Sequence, residues 1–499
     1  MEIFAGLWIG LQTAITPANM LYCLIGVFVG TLIGVLPGLG PAATVAMLLP
    51  ASFVLPPVSA LIMLAGIYYG AQYGGSTTSI LVNLPGEASS IVTTLDGYKM
   101  ALQGRACVAL ATSAIGSFFA GTVTTFIIAI FAPPLANVAL RFGPAEYFSL
   151  MVLGLVCSVV LARGSLLKAI GMIVLGLLLG VIGTDVNSGA HRYTFGVREL
   201  MDGIGFVTVA MGMFGIGEII LNIERELSRG RTVMALSSMM PTREDWRRMV
   251  APILRGTFLG AGLGILPGGG ALVASFAAYS VEKKVSKYSS EFGNGAIEGV
   301  AAPEAANNAG SQASFIPMLT LGIPTSPVMA LMIGAMIIQG VQPGPAVMAE
   351  QPTLFWGVIV SMWIGNLFLL VLNLPMIGLW VRLCMVPYHH LYPSILVFCS
   401  IGVFSLSNSV FDVYFLALFG LIGYLFAKLD CEPAPMLLAL ILGPMMEEYL
   451  RRALLMSRGD PMVFLSRPIS CAILLVAAAA LVAALVPAIR AKREEAFQE

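Results

Sequence analysis

The sequence predicts an all-α polytopic membrane protein, built as two inverted repeats whose helices are broken and fold into re-entrant hairpins. Three observations predict it. The 499 residues are 58% hydrophobic and only 10% charged, against roughly 25% charged for soluble domains. Apolar runs recur along the whole length, among them 21–36, 148–161, 166–182, 354–372, 415–426 and 471–486. One interruption is also written twice, "GVLPGLGPA" at 34–42 and "GILPGGGAL" at 264–272. A bilayer-spanning helix needs about 20 mainly apolar residues, or about 17 at the short end, so the runs imply about ten to twelve spans besides the broken ones.

Charge then divides the chain. The opening, "MEIFAGLWIGLQTAITPANM", has no basic residue and no small-residue cleavage pattern, so it does not read as a removable signal peptide. A first transmembrane repeat is expected over 1–223, a cytoplasmic basic linker over 224–250, and a second transmembrane repeat over 251–499 with a C-terminal span and short cytoplasmic tail. The linker holds Arg225, Arg229, Arg231, Arg243, Arg247 and Arg248, and the tail Arg490, Lys492 and Arg493; the positive-inside tendency puts both in the cytoplasm. The four arginines between 451 and 467 stand outside that pattern. A formal net charge of zero with no basic face gives no support for a nucleic-acid partner, which leaves lipid as the surroundings. Seven scattered cysteines and three histidines apart from them indicate neither a disulfide framework nor a structural metal site.

The duplication extends past the opening motif. "GGSTTSILVNLPGEASS" (74–90) answers "AGSQASFIPMLTLGIPTSP" (309–327): each has Gly-Ser, a polar patch, an apolar stretch and a proline turn. Gln103-Gly104 answers Gln339-Gly340. Corresponding loops differ in charge: the loop with Lys99 and Arg105 matches uncharged "IIQGVQPGP", Arg163 and Lys168 match "LSNSVFD", and "PASFVLPP" matches "VEKKVSK". Opposite charge bias in equivalent loops argues that the halves are inverted.

Irregular backbone at membrane depth is tolerated only where it is buried in protein or lines a cavity, because each unsatisfied amide costs several kcal/mol. The helix-break loops, Pro37, Gly38 and Gly40 with Pro267, Gly268, Gly269 and Gly270, therefore predict a polar interior. Freed amides and helix N-termini attract anions, and freed carbonyls bind cations. The substrate and cation-binding residues expected there are Ser76, Thr77, Thr78, Ser79, Asn83 and Pro85 from the first half. The second half adds Asn307, Asn308, Ser311, Gln312, Ser314, Pro324, Thr325 and Ser326. No Lys or Arg occurs in 34–98, 256–280 or 299–340, so an anion held there relies on amide dipoles, hydroxyls and a co-bound cation. Glu304, in "APEAANNAG", is the acid expected to serve coupling or structure, since charge at membrane depth marks function. Asp96 and Lys99 read as an interfacial pair. No histidine lies in the polar segments, so no nucleophile-base constellation forms and no catalytic residue is expected.

"GVLPGLGPAATVAMLLP", "YYGAQYGGSTTSILVNLPGEASSIVTTLDGYKMALQGR", "LGILPGGGA", "EGVAAPEAANNAGSQASFIPMLTLGIPTS" and "IIQGVQPGP" resemble the large membrane subunit of the tripartite tricarboxylate transporters, the TctA family. The resemblance implies a multi-pass bacterial inner-membrane carrier, driven by a sodium or proton gradient. It also implies two partners, a small TctB-like membrane subunit and a periplasmic TctC-like solute-binding protein, with a di- or tricarboxylate such as citrate as substrate. No cofactor is implied beyond a coupling ion, sodium by preference, held by oxygens of the hairpins and helix breaks. Analogy with other two-hairpin carriers implies elevator-type motion. Two alternatives follow from the same residues: a secondary carrier of related architecture for another organic solute, and a channel, which would need a continuous pore ringed by charges or carbonyls.

Overall fold

Prolines and glycines decide where these helices begin and end. The structure, a computed structural model, describes residues 2–36, 40–83, 86–161, 165–185, 188–226, 241–266, 270–384 and 388–485. The first half runs α1 (Glu2–Ala14), α2 (Pro17–Gly34), α3 (Pro41–Leu48), α4 (Pro57–Val82), α5 (Ile91–Leu102), α6 (Ala106–Ala139), α7 (Pro144–Leu161) and α8 (Leu166–Gly180). Strands β1 (Gly183–Thr184) and β2 (His191–Arg192) then form a short antiparallel ladder. Beyond it α9 (Phe206–Ala210) passes through a π-turn at Met211–Ile216 into α10 (Gly217–Glu226).

The second half opens with α11 (Arg243–Leu263), α12 (Gly270–Val285), α13 (Glu298–Ala313), α14 (Phe315–Leu321) and α15 (Pro327–Ile338). It continues with α16 (Ala346–Glu350), α17 (Pro352–Asn373), α18 (Ile377–Cys384), α19 (Tyr388–Ser407), α20 (Val410–Lys428), α21 (Pro433–Met456), α22 (Val463–Ser466) and α23 (Pro468–Leu485). Proline opens α2, α3, α4, α15 and α17, where its missing N–H would have no partner anyway.

At 81% helix the architecture is all-α and polytopic. Among the described residues five helices are each long and apolar enough to cross a bilayer: Pro17–Gly34, Ala106–Ala139, Phe206–Glu224, Pro352–Asn373 and Val410–Lys428. That is fewer than the ten to twelve implied by hydropathy. Several apolar runs are split by proline and glycine into helices too short to cross alone, such as Pro41–Ser52 and Pro327–Ile338.

Bare glycine sets the helix spacing in both halves. Gly26, Gly30 and Gly34 of α2 lie on the carbonyls of Met63, Ile67 and Ala71 in α4, where an added Cβ would sit 2.2, 2.3 and 2.5 Å from the oxygens. In the second half Gly256, Gly260 and Gly264 of α11 meet the carbonyls of Ala302, Ala306 and Gly310 in α13 at 2.3, 2.4 and 2.4 Å. Small residues four apart allow such backbone contact, which is what holds helices together in lipid. Residue numbers rise together along both seams, so each pair is parallel.

The two seams have the same form and can be laid over one another. Ala71 corresponds to Gly310 (310 minus 71 is 239). The left-handed helix caps Asn83, φ 55°, and Gly322, φ 70°, share that offset (322 minus 83 is 239). Ser311 is therefore the counterpart of Gln72, and the two Gly-Ser pairs that look matched in sequence are one helical turn out of step. The Gln-Gly turns correspond in a reciprocal way. Gln103 donates to Asn294 O at 2.7 Å across the halves, while Gln339 donates to Ser52 O at 3.0 Å and Leu55 O at 3.3 Å.

Candidate binding site at the helix crossing

Helix α13 carries Glu304, Asn307, Asn308, Ser311 and Gln312, and every one of its residues from Glu298 to Ala313 is buried. Polar side chains can be buried in a membrane bundle only if neighbours satisfy them, and two helices do so. Along α6, Ser113 donates to Glu304 Oε2 at 2.8 Å, Ser117 accepts from Asn308 at 2.6 Å, and Thr125 donates to Gln312 Oε1 at 2.7 Å. Gly121 keeps this ladder clear, for a Cβ there would lie 2.5 Å from Asn366 Nδ2 and 2.7 Å from Gln312 Nε2.

The other polar face of α13 meets α4. Gln72 donates to Ser311 Oγ at 2.8 Å, so equivalent positions of the two halves touch each other. On one side of that contact Tyr69 lies tilted against Phe315, centroids 5.8 Å apart, and on the other Ser76 lies beside Glu304 while donating to Gln72 O at 3.2 Å. Numbers fall along α13 as they rise along α4, so these equivalent helices cross antiparallel. Thr93 of α5 donates to Glu304 Oε1, and Asn307 donates to Glu87 Oε1 at 2.8 Å.

The turn after α4 folds back because two glycines let it: a Cβ on Gly86 would be 2.3 Å from Gly75 Cα. Ser79 then reaches Ser90 at 2.9 Å. The described ends of the helix breaks lie beside these polar segments. Gly40 sits by the Gly86 carbonyl, 3.5 Å from an added Cβ, and Ala271, after Gly270, sits against Gly310, where the corresponding distance is 3.0 Å.

Not every expected residue joins the crossing. Thr77 and Thr78 bond carbonyls of their own helix, Tyr73 O at 3.2 Å and Gly75 O at 2.8 Å. Asn83 is exposed and serves as the left-handed cap of α4. Ser314 donates to Ser311 O. In the second turn Pro324 is buried, Ser326 caps α15 by accepting from Met329 N at 3.3 Å, and Thr325 is buried with no partner for its hydroxyl. Pro37, Gly38, Pro85, Pro267, Gly268 and Gly269 lie outside the described residues.

Asp96 does not pair with Lys99. It is fully buried, accepts from the backbone N–H groups of Gly293, Gly295 and Ala296 at 2.8, 2.8 and 2.9 Å, and takes the Tyr279 hydroxyl at 2.9 Å. It thereby ties α5 to the turn that opens α13. The residues missed in sequence are Gln72, Ser113, Ser117, Thr125 and Asn366. One signal could have found most of the α6 set: Ser113, Ser117, Gly121 and Thr125 recur every fourth residue, a small and polar stripe on an otherwise apolar helix.

A helix bundle with five helices apolar enough to cross a bilayer, and with a polar interior where α4 crosses α13, defines a polytopic membrane protein. The chain belongs to the tripartite tricarboxylate transporter TctA family, whose sequence model matches residues 20–438. Membership makes it a component of a tricarboxylate transporter. It is 58% identical, over all 499 residues and 99% of the relative, to an uncharacterized 52.8 kDa protein in the TAR-I ttuC′ 3′ region of Agrobacterium vitis. A second uncharacterized protein, in the TAR-II ttuC′ 3′ region of that organism, is 57% identical over 240 residues, 48% of this chain and 99% of its own. No solved structure matches.

Proposed function

We propose that this chain is the large transmembrane carrier subunit of a binding-protein-dependent secondary importer in the bacterial inner membrane. It moves di- or tricarboxylates or related organic anions inward with a co-transported cation, sodium. One observation carries the reading. Equivalent helices α4 and α13 meet at Gln72 and Ser311, deep in the bundle, amid amides and hydroxyls and in segments without Lys or Arg. An anion bound there is held by neutral donors, so a cation must accompany it into the low-dielectric interior.

The antiparallel crossing supports halves of inverted topology, over 1–223 and 251–499, and hence alternating access around a fixed interior site. Elevator-type motion is the form this takes in carriers with two hairpins. Inward movement of net positive charge gains about 2.3 kcal/mol per 100 mV for each charge, so sodium in excess of substrate charge drives accumulation. Family membership supports two partners, a TctB-like small membrane subunit and a periplasmic TctC-like binding protein that delivers the solute.

The test is uptake of a labelled carboxylate panel into proteoliposomes holding the chain and its small subunit, with and without the binding protein, under sodium, proton or no gradient. Concentrative uptake that needs sodium and the binding protein is expected. Equilibration that ignores every gradient would mean a channel or facilitator instead.

A further inference from the structure

We propose that Glu304 and the hydroxyls converging on it form a monovalent-cation site, the sodium site of the carrier. The coupling role rests on the function proposed above; the ion site itself is testable without any carboxylate.

Glu304 is 0% exposed. Thr93 donates to its Oε1 and Ser113 to its Oε2 at 2.8 Å. Donors on both oxygens suit the ionised form, yet no base is at hand. Of the arginines of adjacent α11, Arg243 and Arg247 are exposed, Arg248 is held by Glu298 at 2.8 Å and Glu291 at 2.6 Å, and Arg255 by Glu282 at 2.7 and 2.8 Å. From α12, Ser275 donates to Pro303 O, and α6 from 106 to 139 has no Lys or Arg. A buried charge must be paired or must hold a metal, and here only oxygen is offered.

The donor set matches a small hard cation in kind and in charge. Two carboxylate oxygens and the hydroxyls of Thr93 from α5 and Ser113 from α6 make an all-oxygen set, the ligand type that hard cations take. A single negative charge is neutralised by one monovalent ion. Divalent sites recruit more carboxylates, and the neighbouring acid, Glu87, is engaged by Asn307 at 2.8 Å.

A second observation is independent of the acid. The Tyr73 hydroxyl is buried, its residue 4% exposed, and has no hydrogen-bond partner. With Ser113, Thr77 and Asn373, Tyr73 lines a cleft of about 10 Å³, room for about one water. Ser113, which donates to Glu304, thus shares the cleft with the unspent Tyr73 oxygen.

The experiment measures ²²Na⁺ binding to the purified full-length chain in nanodiscs, with potassium, choline and proton competition and no carboxylate present. Wild type should bind sodium saturably. Glu304→Gln, which keeps size but removes the charge and turns one acceptor into a donor, should weaken binding about 10-fold to 100-fold, and Ser113→Ala or Thr93→Val should weaken it several-fold. Sodium should also raise the thermal midpoint of wild type but not of Glu304→Gln. If Glu304→Gln does not fold, the two hydroxyl variants decide alone. Wild-type sodium affinity in the folded variants, or a wild type that binds protons and no sodium, would overturn the site. Normal sodium binding with no carboxylate uptake would instead leave the site standing and remove the substrate assignment.

Discussion

Alanine at Gly260 tests whether backbone contact sets the distance between α11 and α13. The new methyl would lie 2.4 Å from Ala306 O and 2.8 Å from Ala306 Cα and Ala309 Cβ. Ordinary contact begins at 3.4 Å, so the helices must part locally by about 1.0 Å (3.4 minus 2.4). Overpacking of that kind costs about 1–3 kcal/mol, and the opened seam also loses dispersion along its length. Two residues further on, Gly262 has nothing within 4 Å of its added Cβ. Alanine there gains up to about 1 kcal/mol of helix propensity. The two substitutions, chemically identical and on one helix, should therefore differ in sign. Thermal unfolding of the purified variants should show a lower midpoint for Gly260→Ala and an equal or higher one for Gly262→Ala. Because α13 carries Glu304, Asn307 and Asn308, Gly260→Ala should also slow uptake. Matching midpoints in the two variants would refute the reasoning.

Three more outcomes follow from the same geometry. Asp96→Ala strips three buried N–H groups of their acceptor at about 1–3 kcal/mol each, so it should lower the thermal midpoint sharply; Asp96→Asn should do so far less, and equal effects would deny the carboxylate its clamping role. Gln72→Leu and Ser311→Ala should each impair uptake with normal insertion, as should Ser76→Ala. A double-mutant cycle should give a coupling of about 0.6 kcal/mol, with about 1.7 as its ceiling, and strict additivity would mean that the contact between the halves contributes nothing. Asn83→Gly should leave stability and uptake unchanged because glycine adopts φ 55° freely. Asn83→Val should destabilise, and a tolerant valine would show that the cap is not needed.

The class was legible because it rests on composition, and the twice-written helix breaks stand out because backbone-breaking residues are visible without knowing any contact. The polar segments were legible for the same reason, since hydroxyls and amides stand out against an apolar ground. Register was not. Gly75-Ser76 and Gly310-Ser311 look equivalent as letters, but helix equivalence is decided by what each seam touches. The contacts of Gly34 with Ala71 and of Gly264 with Gly310 move the match by a turn and set Gln72 opposite Ser311.

Facing was the other unreadable quantity. Asp96 and Lys99 are opposite in charge and three apart on α5, the spacing of neighbouring helical side chains, which suggests a pair, but the carboxylate turns instead to the N–H groups of the turn at 293–296. In a soluble helix the apolar stripe tells which face is inside. In lipid that cue is gone, because the outside is apolar too, and only polar residues report the interior. The interior of such a bundle is therefore best sought in sequence by the periodicity of its rare polar positions. Ser113, Ser117 and Thr125 on α6 and Glu304, Asn308 and Gln312 on α13 are two such series, and the structure sets them rung against rung.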